Sequence, residues 1–177
     1  MHRLIWVPAL ALAACGTDDY QRPRTVEYVT EAILAPNCGN AQCHSSFSNV
    51  KGYAFDTVAK ARASLVSGLI GSISLNAREE PVGDGQSSFL YTVLTRPVDR
   101  MPYDQPLLNA DIKLITDWID FGAPGAQCDP AASEGMVCVG TKVVECDKEF
   151  TYGAVVKDCA VPVPPGLPQK CLAGVCQ

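Results

Sequence analysis

Nine cysteines in a chain of 177 residues constrain its fold more than any other feature. Cys38 and Cys43 stand close together, with His44 directly after the second. Cys128, Cys138, Cys146, Cys159, Cys171 and Cys176 are confined to the last stretch, residues 126–177. Cys15 stands apart from both groups. An odd number cannot all pair within one chain, so at least one cysteine needs another fate.

The start of the chain offers that fate. His2 and Arg3 make a short basic beginning, and Leu4 to Leu12 is an apolar run broken only by Pro8. Leu12-Ala13-Ala14-Cys15 then matches the lipobox at which bacterial lipoproteins are cut. The run is too short to span a bilayer, which needs about 20 apolar residues. The expectation is a signal peptide at 1–14, with Cys15 as lipid anchor of an exported lipoprotein. Outer-membrane placement, on the periplasmic or surface face, is the default. An ordinary signal peptide with an unmodified Cys15 is the plainer alternative. Export also sets the redox compartment, where cysteines end up oxidised or bonded to something.

Composition then divides the chain. Residues 15–24 are polar with a proline, which suits a lipidated tether. Residues 25–125 hold two cysteines and several helical patterns. Residues 126–177 hold six cysteines, and Gly122-Ala123-Pro124-Gly125 marks the boundary. Loss of Arg3 with the leader leaves 13 basic against 19 acidic residues, a net charge of −6. Nucleic acid is therefore excluded as an expected partner, since phosphate binding wants a basic face.

The middle region reads as helices. Val26, Val29 and Ile33 recur on one helix face, which Pro36 is expected to stop. Asp56 or Thr57 caps a second helix carrying Val58, Leu65 and Val66 and ending at Gly68. Ser87 or Ser88 caps a third, Phe89 to Thr95. Asn109 is the expected N-cap of a fourth, whose stripe is Ile112, Ile115, Trp118 and Ile119 and which Gly122 closes. Long irregular stretches, 39–55, 71–86 and 95–108, lie between them. Loops of that length in a compact region usually serve a function, and a large flat apolar cofactor would complete so thin a core. The fold class expected is mainly α: a helical domain with long loops, followed by a small disulfide-rich β module.

The chemistry lies at Cys38-Gly39-Asn40-Ala41-Gln42-Cys43-His44. Paired cysteines just before a histidine are how c-type haem is held, each thiol adding to one vinyl group. The histidine becomes an axial iron ligand, and a thioether sulfur on the other face raises the potential. The mature chain offers Met101 and Met136, and Met101 in Asp99-Arg100-Met101-Pro102 is the better placed. Arg96 and Arg100 flank it, as propionate partners or as solvated charges. One alternative stays open: Cys38 and Cys43 can close a local disulfide with His44 a plain surface or capping residue. Zinc is not expected, because a structural site wants four ligands and no fourth Cys or His lies nearby, and neither is iron–sulfur ligation, which normally asks for four thiolates.

Residues 26–122 resemble the short c-type cytochrome domain of many exported bacterial proteins. The likeness lies in Ile33-Leu34, the Cys-Cys-His cluster, Ser87-Ser88-Phe89-Leu90 and Arg100-Met101-Pro102. It continues in Ile115-Thr116-Asp117-Trp118-Ile119-Asp120-Phe121-Gly122-Ala123. The resemblance implies a cytochrome c-like domain with its first and last helices packed together. It also implies one covalent haem c on Cys38 and Cys43, with His44 and Met101 as iron ligands. One departure is clear: four residues separate the cysteines where the usual motif has two, a spacing that resembles variant sites of some multihaem cytochromes.

The six tail cysteines sit in a segment too short for its own core, where disulfides compensate. Val137 to Val144 reads as a hairpin turning at Gly140-Thr141 in a type II′ turn, and Tyr152 to Lys157 as a further strand. Their pairing is not readable from sequence. The tail resembles small Cys-rich modules that trail many bacterial surface lipoproteins. The function expected is a membrane-anchored electron carrier, not an enzyme, with a redox protein as partner. The alternative is a haem-free surface lipoprotein, a binding or structural module on a degenerate cytochrome scaffold.

Overall fold

A computed structural model describes residues 21–162 and 166–177. The leader expected at 1–14, the anchor Cys15 and most of the tether lie outside the described residues. Among the described residues no helix is long and apolar enough to cross a membrane.

Four helices form the first part. Helix α1 covers 26–38, with α-helical turns at Val26–Tyr28 and Ala35–Cys38 around a π-helical stretch, Val29–Leu34. Thr25 caps it by accepting from the Tyr28 N–H. Pro36 does not stop it, against expectation. The wide π turn carries the Ala35 N–H back to the Thr30 carbonyl, and the Asn37 amide donates to the Ile33 carbonyl at 2.7 Å. The proline ring then sits on the solvent side, in the first turn of the α-helical segment that follows the π turn, where a proline is tolerated. Helix α2 covers 58–69, capped by Thr57, with Gly68 at φ 115° near its end. Helix α3, Phe89–Thr95, is capped by Ser88. Helix α4 is Asn109–Asp120; Leu108, not Asn109, occupies its N-cap position. Val26, Val29 and Ile33 of α1 and Ile115, Trp118 and Ile119 of α4 share one buried cluster with Leu65 of α2 and Leu94 of α3.

The mainly α expectation is overturned: 34% of the chain is helical, 16% is strand in three small antiparallel sheets, and the helices are short. Part of the β content hides in 71–86, which reads as loop. There β1 (Ser74–Leu75) pairs with β2 (Pro81–Val82). Two-residue strands carry too little alternation to register as a pattern. Gly83 and Gly85 then pass against α4 so closely that a Cβ would lie 2.4 Å from the Ile119 carbonyl oxygen and 2.5 Å from that of Thr116. Glu79 and Glu80 are exposed there, Glu79 paired with Lys142.

The remaining β structure is the tail. Strands β3 (Met136–Val139), β4 (Lys142–Cys146) and β5 (Tyr152–Asp158) form an antiparallel sheet in sequence order. Gly140 at the hairpin has φ 61° and Thr141 does not turn positive, the pattern a type II′ turn requires. Strands β6 (Cys171–Leu172) and β7 (Val175–Cys176) form a second hairpin. All six cysteines are paired: Cys128–Cys146, Cys138–Cys171 and Cys159–Cys176. Two of these bonds tie the small hairpin to the larger sheet and its exit.

The tail is not a loose appendage. Tyr152 packs against the helical core and its hydroxyl donates to the Ile73 carbonyl at 3.2 Å. The Gly125 N–H donates to the Thr151 hydroxyl at 3.2 Å, and Arg62 of α2 lies 6.0 Å over the Phe150 ring. Burial raises the Tyr152 phenol above its ordinary pKa. In the unfolded chain that phenol loses its proton near about pH 10, and in the folded chain only later. Between the two values the unfolded state binds fewer protons, so stability falls as pH rises through that window. Tyr152→Phe is expected to flatten this alkaline decline and to cost about 1 kcal/mol below it. Urea denaturation at a series of pH values measures both.

Candidate cofactor site

The site begins where α1 ends. Cys38 is the last helical residue, and the Gly39 N–H bonds to the Leu34 and Ala35 carbonyls at 3.1 and 3.0 Å. Only glycine fits at 39, because a Cβ would stand 2.9–3.0 Å from backbone atoms of Ala35, Phe55 and Asp56. The segment 53–56 therefore lies directly on the helix end. The His44 N–H donates to the Cys38 carbonyl at 3.0 Å, and the Phe55 N–H to the His44 carbonyl at 2.7 Å. The Ser48 hydroxyl donates to the Cys43 carbonyl. Asp56 accepts from both the N–H and the hydroxyl of Ser46, each at 2.9 Å, and the Ser46 N–H foremost holds its carboxyl below the usual range. The two extra residues between the cysteines are thus part of a fixed loop. In it Asn40 accepts from the Gln42 N–H at 3.1 Å through its side chain and from the Cys43 N–H at 3.0 Å through its carbonyl.

His44 is held by one ring nitrogen. Its Nδ1 lies 2.9 Å from the Val50 carbonyl oxygen. A carbonyl only accepts, so the proton of the neutral ring sits on Nδ1 and the lone pair on Nε2. Presenting that carbonyl demands a tight turn: Asn49, Lys51 and Gly52 all have positive φ, 46°, 59° and 82°. Two of these are not glycine, and each such residue costs about 1–3 kcal/mol that its surroundings must offset. Phe55 stands edge-on to the ring at 5.6 Å and Tyr53 is tilted at 6.2 Å.

Two cavities meet at His44. One, of about 530 Å³, has apolar walls from Phe55, Leu69, Leu90, Val93 and Leu94. The other, of about 500 Å³, contains Cys38 and Cys43. His44, Met101 and Tyr103 line both. Each volume falls within the roughly 300–1,000 Å³ of small-molecule and cofactor sites. Met101 is brought there by its loop, whose backbone N–H donates to the Val93 carbonyl of α3 at 2.8 Å. All four residues singled out in the sequence thus border one cleft. Met136 lies away from it, on β3 of the tail.

The two cysteines are free thiols in the structure, and the local disulfide weighed from sequence is not formed. Cys38 is 8% exposed, and burial, followed by the neighbouring Cys43, pushes its thiol up to about 12. A thiol so placed stays neutral at physiological pH, unlike a nucleophilic or metal-bound cysteine. Among the described residues no three His, Cys, Asp or Glu side chains converge as a metal-binding group.

Several residues of the cleft escaped the sequence reading: Lys51, Tyr53, Phe55 and Tyr103. No periodic signal marks them, since Lys51 and Gly52 lie in the left-handed turn and the extended backbone begins at Tyr53. Of the two arginines beside Met101, Arg96 lines the larger cavity, and the buried Nε of Arg100 has no hydrogen-bond partner. No protein-family model matches the sequence, and no curated protein or solved structure matches the chain.

Proposed function

We propose that this chain is an exported c-type cytochrome, lipid-anchored through Cys15, that carries electrons to or from a redox partner protein in the periplasm or at the cell surface. The observation that carries the reading is the convergence of Cys38, Cys43, His44 and Met101 on one cleft, from which His44 and Met101 also border the adjoining apolar-walled cavity. The donor set fits haem c. Two free cysteines can each add across one vinyl group, and His44 keeps Nε2 free because Nδ1 is committed to Val50. Met101 offers a soft sulfur from another segment.

Haem held there would supply a one-electron ferric–ferrous couple. The chain's own part is to hold, orient and shield. The Val50 carbonyl fixes the His44 tautomer and, by accepting its proton's hydrogen bond, makes Nε2 a better donor. Phe55, Leu90 and Leu94 exclude water, and a thioether ligand raises the reduction potential. His44 and Met101 together would leave the iron of a bound haem no open position for a substrate, which favours electron transfer over catalysis. The acidic net charge leaves nucleic acid an unsuitable partner.

Met101→Ala is expected to abolish the visible-range sulfur-to-iron absorption band of the oxidised protein and to lower its potential, while the haem stays covalently attached. Persistence of that band would exclude Met101 as ligand.

A second reading has its own support in the four-residue gap and the free thiols. In it the chain is a haem-free surface lipoprotein whose cleft takes an apolar ligand without covalent attachment.

A further inference from the structure

The larger cavity is apolar in its walls, yet two cations line it from separate loops. Lys51 comes from the turn 49–52 and Arg96 from the residue after α3. Lys51 itself has φ 59°, and the Arg96 Nε donates at 2.7 Å to the carbonyl of Asp99, whose φ is 53°. The remaining guanidinium nitrogens of Arg96 and the ammonium of Lys51 have no ion-pair partner among the described residues. The one acid lining the same cavity is Asp99, and its other polar side chains are His44, Tyr53 and Tyr103. Two cations without an ion-pair partner among the described residues, set in one apolar cavity, match a ligand with an apolar body and an anionic edge.

We propose that Lys51 and Arg96 form a carboxylate-binding pair for the two propionates of haem, an assignment that rests on the haem reading above. The argument is one of edges. Haem carries its two vinyl groups on one edge and its two propionates on the opposite edge. Cys38 and Cys43 lie in the smaller cavity, and the two cations lie in the larger. His44 and Met101 belong to both, which is where ligands to the central iron belong. A vinyl edge at the cysteines therefore directs the propionate edge toward Lys51 and Arg96. Arg100, the other cation beside Met101, does not line this cavity and has no part in the pair.

The test uses the haem-loaded full chain, its Lys51→Gln and Arg96→Gln variants, the double variant and Arg96→Lys. Covalent haem and the sulfur-to-iron band should persist in all of them. The midpoint potential should fall in each glutamine variant, because reduction adds negative charge that a nearby cation offsets, and fall further in the double variant. The resonance Raman band of propionate bending should shift with it, and Arg96→Lys should stay near wild type. A fall in potential with that Raman band unmoved would mean the cations act only at a distance, overturning the assignment. Loss of the sulfur-to-iron band in both single variants would make them loop supports and overturn it likewise. Unchanged potential and Raman band in a haem-loaded protein would defeat this inference alone. A wild-type chain that takes no covalent haem would defeat it together with the reading beneath it.

Discussion

His44→Ala is expected to abolish the low-spin spectrum of the haem-loaded protein while leaving the haem attached through Cys38 and Cys43. The sequence holds one other histidine, His2, far from 44 along the chain and in the expected leader, so no neighbour along the chain substitutes for the His44 imidazole. Its Nδ1 bond to Val50 and its edge contact with Phe55 are lost as well. The loop itself survives on backbone bonds, His44 to Cys38 and Phe55 to His44, which alanine retains. Added imidazole should restore a low-spin form by filling the vacated position. Visible absorption with and without imidazole measures this. A variant with the wild-type spectrum would remove His44 from the iron.

Trp118→Ala is expected to lower global stability by about 3–5 kcal/mol, the range for deleting a fully buried aromatic side chain. Such a loss is a large fraction of the 5–15 kcal/mol total, roughly, of an ordinary domain. Trp118 is fully buried on α4, between Ile115 and Ile119, in the cluster that also takes Val29 and Ile33 of α1. Its indole N–H donates to the Pro124 carbonyl at 3.2 Å, so truncation also leaves that acceptor unpaired. The effect reaches beyond one helix, because Gly122 and Ala123 turn the chain out of α4 toward the tail. The Ala123 N–H bonds to the Trp118 carbonyl at 2.9 Å, and a Cβ on Gly122 would lie 2.5 Å from the Pro81 carbonyl oxygen. Trp118→Phe fills most of the volume and should cost much less. Urea denaturation of both variants separates the packing loss from the hydrogen-bond loss.

The sequence was most legible where a periodic stripe meets a cap. Val26, Val29 and Ile33, the Ser88 and Thr57 caps, and Ile115, Trp118 and Ile119 all stand where periodicity places them. It was least legible where tertiary structure overrides a local rule. Pro36 reads as a stop, but it falls on the solvent side in the first turn of the α-helical segment after a π turn, where a proline is tolerated. Asn109 reads as a cap, but its side chain makes no capping bond. Residues 74–82 read as loop because the hairpin there is only two residues deep on each side. That omission and the weight given to four short helices produced the mistaken mainly α expectation.

The site divides in the same way. Cys38, Cys43 and His44 are neighbours in sequence, so their grouping was visible. Met101 is one of two methionines beyond Met1, which makes it stand out, and the loop leaving α3 delivers it to the same cleft. Lys51 and Arg96 could not be paired from sequence, since one leaves the left-handed turn 49–52 and the other the end of α3, and only the tertiary fold sets both on one cavity. The six tail cysteines were expected to form disulfides, but only the strand register selects Cys138–Cys171 and Cys159–Cys176.

The account stands most directly on whether haem is bonded to the polypeptide. The full chain, made in a host with cytochrome c maturation machinery and then denatured, should carry one haem per chain in its intact mass. Cys38→Ala/Cys43→Ala should carry none. A colourless wild-type protein without haem mass, from a host whose other c-type cytochromes mature normally, would contradict the cytochrome reading and leave the haem-free lipoprotein in its place.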